Sequence, residues 1–198
     1  LQALRELTRE HGLLLIVDEV QTGMGRTGRL FAHEHAGIEP DIMTLGKGIG
    51  GGVPLSALLA REAVCCFQPG DQGGTYNGNP LMTAVGVAVL RRLLADGFLA
   101  QVDALGRHLS GRLDELITRH ALVGERGVGL LRALILDSDR GPALVKAALD
   151  YAPEGLLLNA PRPNLLRFMP ALTVSEAEID RMIEILDTLL GAVRGDAG

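Results

Sequence analysis

The sequence predicts an α/β protein in two parts: a first domain with a mainly parallel sheet and flanking helices, then a small α+β domain. Residues 13–17 are apolar without alternation, as in a parallel-sheet strand that is buried on both faces. Helical and strand patterns alternate around this run. After Asp96 short strands gather between helices, so we place the boundary there, with residues 1–95 in the first domain and 96–198 in the second.

The first domain is predicted to begin with one helix and three strands. Residues 1–10 repeat leucine at helical spacing, and a His-Gly pair ends that helix. The apolar run of residues 13–17 is the first strand. Residues 41–45 and 55–59 are short apolar segments between glycine-rich loops, and they predict the second and third strands.

Two consecutive helices lead into the second domain. Residues 80–95 begin with a proline after Asn79, which is a good N-cap, and residues 98–120 form the next helical pattern. Ser175 and Glu178 have the spacing of a capping box at the start of a terminal helix. The predicted elements after residue 120 are strands at 122–123 and 130–136, a helix at 142–151, strands at 156–158 and 165–168, and a helix at 175–193.

The composition excludes several classes of protein. The formal charge is -5, so no basic surface is expected for nucleic acid or an anionic membrane. No apolar run reaches the roughly 20 residues of a membrane span. The adjacent Cys65 and Cys66 predict no disulfide framework, and the histidines form no metal cluster, since His33 and His35 fit a solvated helix face. We expect a cytoplasmic protein, soluble and without metal.

An acidic pair follows the first predicted strand. Asp18 and Glu19 stand where that strand gives way to a loop, the place at which open α/β sheets bind ligands. A carboxylate that leaves an apolar strand is costly to bury unless a cation pairs with it. That cation is either an arginine of the protein or the protonated pyridine nitrogen of a ligand, and these residues alone leave both interpretations open.

Lys47 lies among glycines just after the second predicted strand. Glycines allow a flat group to approach the backbone closely. A phosphate loop of the nucleoside-triphosphatase kind has glycines before its lysine and Ser or Thr after it, whereas Gly48 follows Lys47 here, which disfavours a nucleotide-binding module. Two interpretations remain: a surface lysine in a flexible loop, and an amine that forms a Schiff base with an aldehyde.

Two further segments carry candidate binding residues. Gly74 and Thr75 lie in a turn just before a predicted helix, where backbone N–H groups and a hydroxyl suit a phosphate; a plain loop is the alternative. Arg167 lies in an apolar strand, where its charge is unlikely to be left unpaired because burying it is costly. It pairs either with a carboxylate of the protein or with that of a substrate.

Together these segments resemble the class III aminotransferases, the ornithine and acetylornithine type of pyridoxal-phosphate fold type I. The resemblance covers almost the whole chain and is carried by residues 17–23 (VDEVQTG), 25–28 (GRTG), 40–48 (PDIMTLGKG), 73–81 (GGTYNGNPL) and 166–172 (LRFMPAL). It is greatest to bacterial members that act on acetylornithine, through residues 155–159 (GLLLN) and 164–167 (NLLR). It implies that residues 1–95 are the second part of the large cofactor-binding domain.

The resemblance implies a site for pyridoxal 5'-phosphate. Asp18 would pair with the pyridinium nitrogen, Val20 would pack on one ring face, and Gln21 would bond near the phenolic oxygen. Glu19 is expected at the same site. Lys47 would hold the cofactor as a Schiff base and then move the proton between substrate and cofactor.

The resemblance also implies contacts beyond one subunit. Thr75 would contact the cofactor phosphate of the neighbouring subunit, which implies a homodimer with a shared active site. Gly74 and Arg167 would lie at the substrate. Gly74 stands where many relatives have Ser or Thr, so it offers no side chain there, and Asn77 stands where many have Gly.

The implied reaction is transfer of the δ-amino group of N-acetylornithine to 2-oxoglutarate, in arginine biosynthesis. The alternatives are another ω-aminotransferase or aminomutase of the same class, and a catalytically inactive fragment. The chain begins without Met on a helix that leads directly into a strand, which predicts a piece of a longer protein. The family's amino-terminal half carries a phosphate cup, a ring-stacking aromatic and a second substrate arginine, so we expect this chain alone to bind cofactor weakly or not at all.

Overall fold

A computed structural model describes residues 1–193, and the chain divides into a first unit, Leu1–Leu99, and a second unit, Ala100–Gly198. The helices are α1 (Gln2–Glu10), α2 (Pro80–Leu93), α3 (Phe98–His120), α4 (Gly141–Leu149) and α5 (Glu176–Ala192). The strands are β1 (Ile16–Asp18), β2 (Ile42–Leu45), β3 (Ala57–Ala60), β4 (Gly124–Val128), β5 (Leu131–Ile135), β6 (Asn159–Arg162) and β7 (Leu165–Phe168). Short 3-10 helices cover Ala32–Ala36, Lys47–Gly50 and Glu62–Val64. The division falls near Asp96, and the assignment of the units to a large and a small domain stays a prediction.

The first unit contains a three-stranded sheet in the order β1-β2-β3. β1 and β2 are parallel, with Asp18 opposite Thr44, whereas β2 and β3 are antiparallel. Only one of the two strand pairs therefore follows the predicted parallel arrangement. Because parallel strands end at the same edge of a sheet, the residues that follow β1 and β2 emerge side by side. Asp18 and Lys47 lie at these two strand ends.

The prediction that residues 13–17 form a strand buried on both faces is wrong for this chain. The strand begins only at Ile16, and the side chains of Leu13, Leu14 and Ile16 are 57%, 52% and 59% exposed. β1 is an edge strand of its sheet, so only one side of it has a hydrogen-bonded neighbour. An apolar run shows that a strand can be buried, and the number of covered faces depends on what packs against it.

The leucine pattern of α1 is likewise not the buried face of that helix. Leu4 and Leu7 are about half exposed, at 52% and 48%, while Arg5 is buried. The Arg5 guanidinium donates from Nη1 to Asp41 Oδ2 at 2.8 Å, and this contact turns the arginine face of the helix inward. A charge can be buried here because a carboxylate meets it directly.

Asp41 connects α1 with the beginnings of β1 and β2. Its Oδ2 also accepts the backbone N–H of Leu15 at 2.8 Å, and its own N–H donates to the Leu15 carbonyl at 2.9 Å. Arg61 Nη1 lies 3.5 Å from its other oxygen. The Leu15 N–H and the Arg5 guanidinium lower the pKa of the Asp41 carboxyl, outweighing the desolvation that raises it. This buried carboxylate fixes where the two parallel strands start.

The second unit contains an antiparallel sheet in the order β4-β5-β7-β6. α3 carries leucines at helical spacing on one face, and these side chains are buried. The largest fully buried side chains all belong to this unit: Val102, Leu109, Leu113, Leu116, Leu130, Leu134, Leu136, Leu144, Leu166, Ile179 and Leu186. Sheet and helices thus share one leucine-rich core, as expected of an α+β arrangement.

Two predicted strands of the second unit are displaced. The strand predicted at 122–123 lies at Gly124–Val128, and the one predicted at 156–158 lies at Asn159–Arg162. The N–H of Leu156 donates to the carbonyl of Ala148 at 2.7 Å, so the apolar segment after α4 folds back on that helix and its Leu157 is 86% exposed. Apolar composition gave the wrong position because hydrogen-bonded pairing decides where a strand lies.

We expect Gly106→Ala to destabilise the second unit by about 1–3 kcal/mol, the usual cost of overpacking. A Cβ at Gly106 in α3 would lie 2.5 Å from the Cα of Gly129, and backbone atoms cannot rotate away. Gly111→Ala on the same helix is the matched control, because no atom lies within 4 Å of a Cβ there and alanine favours a helix. Urea unfolding of the 198-residue chain measures both; equal stability of the two variants would contradict the prediction.

None of the helices within residues 1–193 combines the length and the apolar character needed to cross a bilayer.

Candidate active site

Asp18 lies at the carboxyl end of β1 with one oxygen engaged and the other available. Its Oδ1 accepts the backbone N–H of Val20 at 2.9 Å and the hydroxyl of Thr44 at 3.1 Å. No donor among residues 1–193 reaches the second oxygen, and the side chain is exposed. No arginine of these residues pairs with Asp18, so of the two interpretations left open by the sequence, the structural pair with an arginine is not observed.

Lys47 follows β2 in a strained and open conformation. Its φ is +43°, in the left-handed region that costs a residue with a side chain about 1 kcal/mol or more. The side chain is exposed, and its ammonium makes no hydrogen bond or ion pair with residues 1–193. Strain of this kind persists where the surroundings fix the backbone and is frequent at functional sites.

The glycines on either side of Lys47 allow the loop after β1 to pack directly on the loop after β2. A Cβ at Gly46 would lie 3.2 Å from Cγ1 of Val20, and one at Gly48 would lie 3.1 Å from Cβ of Met24. Both contacts are tighter than ordinary side-chain packing. The two loops therefore hold Val20 and the backbone of Lys47 against each other.

Helix α2 supports the Lys47 turn from another side. It packs on the 3-10 helix Lys47–Gly50, and Gly86 makes this approach possible. A Cβ at Gly86 would lie 2.5 Å from Cδ2 of Leu55 and 3.5 Å from the carbonyl oxygen of Ile49. The small-residue face of α2 thus allows the helix to contact the segment that carries the candidate lysine.

Glu19 is turned into the protein, and its contact with a cofactor stays a prediction. Its side chain is 3% exposed, and its oxygens accept from the Thr22 hydroxyl at 2.6 Å and from the N–H groups of Ala32 and His33 at 3.0 and 2.8 Å. Desolvation raises the pKa of Glu19, but these hydrogen bonds and the His33 side chain outweigh it and lower the pKa. Successive residues at a strand end point in opposite directions, so Asp18 faces out and Glu19 faces in.

His33 and His35 lie on the 3-10 helix Ala32–Ala36, and the predicted solvated face holds for His35, which is exposed, but not for His33, whose side chain is 12% exposed. His33 Nδ1 lies 3.2 Å from Glu19 Oε1, and His35 Nε2 lies 3.1 Å from both the carbonyl and the hydroxyl oxygen of Thr27. These contacts tie the 3-10 helix to the loop that follows β1. The loop carrying Val20 is therefore anchored at both ends.

An open cavity of about 910 Å³ lies in the first unit, between the sheet and the turn before α2. Val20 and Thr44 form part of its wall on the sheet side, and Tyr76 and Asn77 on the turn side. Among the predicted cofactor and substrate residues only Val20 lines it; Asp18, Glu19, Gln21, Lys47, Gly74 and Thr75 do not.

The turn before α2 has the predicted cap and an interdependent pair of residues. Asn79 Oδ1 accepts the N–H of Leu81 at 3.0 Å, which confirms the N-cap. A Cβ at Gly74 would lie 2.8 Å from the side-chain amide of Asn77. The two departures from the family pattern at these positions therefore belong together, because the Asn77 side chain fills the space that a side chain at 74 would need. Thr75 is exposed, and its hydroxyl makes no hydrogen bond within residues 1–193.

Arg167 lies in the second unit, beside a separate cavity of about 440 Å³. Its Nε donates to Asn159 Oδ1 at 3.0 Å, and no carboxylate of residues 1–193 pairs with it. Of the two interpretations left open by the sequence, a structural ion pair is therefore not observed. The cavity walls are mostly apolar, with Leu158, Phe168 and Met182 among them.

Comparison with known proteins identifies the family. Residues 1–190 match the family model described as aminotransferase class-III. The chain belongs to the class III aminotransferases. It is 64% identical over 194 residues to acetylornithine aminotransferase 2 of Bordetella parapertussis and 65% identical over 192 residues to acetylornithine aminotransferase of Ralstonia nicotianae.

The chain spans about half the length of these relatives, 98% of it matching 49% of the Bordetella protein. Solved class III aminotransferase structures show the same relation. N-acetylornithine aminotransferase from Stenotrophomonas maltophilia superposes with a TM-score of 0.82 at 34% identity, covering 96% of this chain and 50% of the other. Ornithine aminotransferase from Toxoplasma gondii gives 0.86 at 35% identity, covering 94% and 45%. The α/β fold of the family is thus shown for this chain.

Class III aminotransferases use pyridoxal phosphate, and the groups present here fit one side of that cofactor. The Lys47 amine, one oxygen of Asp18 and the Thr75 hydroxyl are all without partners in residues 1–193. The amine and the carboxylate suit the aldehyde and the ring nitrogen of one cofactor, whereas the hydroxyl suits a phosphate, which the resemblance predicts to be that of the neighbouring subunit's cofactor. The Glu19 oxygens already accept hydrogen bonds from the protein, so they are not among these partnerless groups.

Proposed function

We propose that the complete protein containing this chain transfers the δ-amino group of N-acetylornithine to 2-oxoglutarate, a step of arginine biosynthesis. The observation that carries the proposal is the pair of partnerless groups, the amine of Lys47 and one oxygen of Asp18, after two adjacent parallel strands. The identity to proteins named acetylornithine aminotransferase supports the choice of substrate.

In this proposal the residues at the end of β1 hold the cofactor ring. Bound pyridoxal phosphate supplies an aldehyde carbon and a ring that draws electrons from the carbon bearing the substrate amine. Asp18 keeps the proton on the ring nitrogen through its available oxygen. Val20 supports one ring face, Gln21 bonds near the phenolic oxygen, and Glu19 fixes the loop that carries both.

Lys47 is proposed to act twice. Its amine first holds the cofactor at the aldehyde carbon. With the cofactor bound, the same amine would serve as the general base that takes a proton from the substrate carbon bearing the amino group. The open, left-handed turn suits this double role, because no protein contact holds the ammonium away from the site.

Two further residues have proposed roles, one toward the substrate and one toward a second subunit. The second unit, as the small carboxy-terminal α+β domain, supplies Arg167 for a substrate carboxylate. Thr75 contacts the cofactor phosphate of the neighbouring subunit of a homodimer in the cytoplasm, and the Gly74 backbone lies beside the substrate. The exposed Thr75 hydroxyl without a partner is what an intersubunit contact requires.

The 198-residue chain alone is proposed to be inactive. Its candidate groups bind one side of the cofactor, and the relatives it matches are about twice as long. A site open on one side is wet, and electrostatic contacts in water are weak. We expect that the isolated chain takes up pyridoxal phosphate weakly or not at all; tight stoichiometric uptake would contradict this.

A fusion tests the function: the amino-terminal half of the Bordetella parapertussis protein followed by residues 1–198. With pyridoxal phosphate and 2-oxoglutarate we expect the highest kcat/KM for N-acetylornithine, above those for ornithine and 4-aminobutyrate. The native Bordetella protein, assayed in parallel, shows that the supplied half is functional. A preference for another donor would overturn the substrate assignment in favour of another ω-aminotransferase. Internal isomerisation without 2-oxoglutarate would indicate an aminomutase.

A further inference from the structure

The side chain of Arg167 has a single hydrogen-bond partner among residues 1–193, the side chain of Asn159. The two residues face each other across the antiparallel pair of β6 and β7, and Arg167 Nε donates to Asn159 Oδ1 at 3.0 Å. An arginine presents five N–H donors in one plane. The contact at Nε uses the inner edge of the guanidinium, and the two terminal nitrogens have no partner in residues 1–193.

The partner, Asn159, is neutral, so it does not pair with the positive charge of Arg167. An aspartate or glutamate in place of Asn159 would pair with the guanidinium and compete with any incoming anion. Within residues 1–193 the only carboxylate in the wall of the same cavity belongs to Glu178, which accepts the N–H and the hydroxyl of Ser175 in the capping box, both at 2.8 Å. Both hydrogen bonds go to Oε2 of Glu178, and no ion pair joins Glu178 to Arg167 within residues 1–193.

The cavity around the pair strengthens any ionic contact made there. Most of its walls are apolar, formed among others by Leu158, Phe168 and Met182. Apolar walls reduce the local dielectric constant, so an ion pair in this cavity is stronger than one on the open surface. A fork of two parallel N–H groups fits a carboxylate better than any other common anionic group of a metabolite except phosphate.

We propose that Asn159 is a positioning residue. Its neutral side chain holds Arg167 at Nε, so that both terminal nitrogens of the charged guanidinium contact the substrate carboxylate. This inference deepens the proposed function and rests on it. The alternative role for Asn159 is purely structural, as one of the pairs that join β6 to β7. The two roles differ in what a substitution changes: substrate affinity in the first, stability alone in the second.

Kinetics of the fusion enzyme separate these roles. For Asn159→Ala we expect KM for 2-oxoglutarate to rise about tenfold with kcat nearly unchanged, the effect of losing one hydrogen bond to a charged group. Asn159→Asp should raise KM further, because its carboxylate neutralises Arg167, and added salt should reduce that excess. Arg162→Ala is the matched control: Arg162 lies in the same strand, is exposed and makes no contact with Arg167, so KM should not change.

A direct measurement on the 198-residue chain distinguishes failure of this inference from failure of the proposed function. The ¹⁵N-labelled Nε–H signal of Arg167 should shift with added glutarate in the original chain and in Arg162→Ala, and respond much less in Asn159→Ala. If the fusion shows no transamination while this pattern holds, the proposed function falls and Asn159 still positions an anion site. An unchanged Arg167 signal and an unchanged KM in Asn159→Ala overturn the inference whatever the fusion does.

Discussion

Lys47→Ala in the fusion enzyme is expected to lower kcat by about 10⁴-fold and to abolish the visible absorbance of protein-bound pyridoxal phosphate. The substitution removes the amine that holds the cofactor and the base that moves the substrate proton, so no other group replaces both functions. Stopped enzyme turnover alone would not distinguish a lost amine from a misfolded loop. The experiment therefore measures the absorbance and the site of covalent attachment as well.

The chain offers a clean control for this prediction, because it contains only two lysines, Lys47 and Lys146. Borohydride treatment fixes the cofactor to the lysine that holds it, and peptide mass spectrometry then locates the modification. We expect it at Lys47 and not at Lys146, an exposed residue of α4. Lys146→Ala should retain activity and absorbance. Full absorbance in Lys47→Ala, or a modification at Lys146, would refute the assignment.

Elements with strong local signals could be predicted from the sequence. The helix predicted at 98–120 has those bounds in the structure, and Ser175 and Glu178 form the predicted capping box, with Ser175 Oγ accepting the Glu178 N–H at 3.2 Å. Caps and helical periodicity depend on residues within one or two turns, so the sequence itself contains the information. The displaced strands depend on partners far along the chain, which a local pattern does not contain.

The candidate site shows the same division. The sequence places Asp18 and Lys47 after apolar strands, and the structure has these strands adjacent and parallel. The sequence does not show which of Asp18 and Glu19 faces inward, because that depends on the 3-10 helix at Ala32–Ala36. The Asn159 contact was missed for a similar reason: the strand was predicted three residues too early, and the cross-strand register was unknown.

Asp41 was predicted only as the first residue of a strand, and its substitution has the largest expected effect on stability. We expect Asp41→Asn to destabilise the first unit by about 3 kcal/mol, near the lower end for breaking a buried ion pair, since Arg61 and solvent reach its second oxygen. Asparagine still accepts the Leu15 N–H but leaves the buried Arg5 charge without a carboxylate, with the Glu39 carbonyl at 3.2 Å as its other acceptor. Hydrogen exchange of peptides from β2 measures the loss, with peptides from the second unit as internal reference.

Two further variants test whether the unpaired Arg5 charge causes the loss of stability in Asp41→Asn. Arg61→Ala removes only the half-exposed member of the cluster, at 3.5 Å and 52% exposure, and should cost no more than about 0.5 kcal/mol. Combining Asp41→Asn with Arg5→Met should recover most of the stability, because no lone charge remains buried. If the double variant is no more stable than Asp41→Asn, then the carboxylate acts through its backbone contacts and not through Arg5.

The pH dependence follows from the lowered pKa of Asp41. A carboxyl whose folded pKa lies below its unfolded value of about 3.9 contributes its full stabilisation above that pH, and this is lost as the pH falls through the folded pKa. The difference in stability between the original chain and Asp41→Asn should therefore be constant from neutral pH to about pH 5 and shrink below about pH 4.

Because Asp41 fixes the starts of β1 and β2, whose ends carry Asp18 and Lys47, the same substitution should also weaken cofactor binding by the fusion at neutral pH. Unaltered cofactor affinity alongside faster exchange in β2 would show that the strand ends are held in place by other contacts, such as Gly46 on Val20 and Gly86 on Leu55.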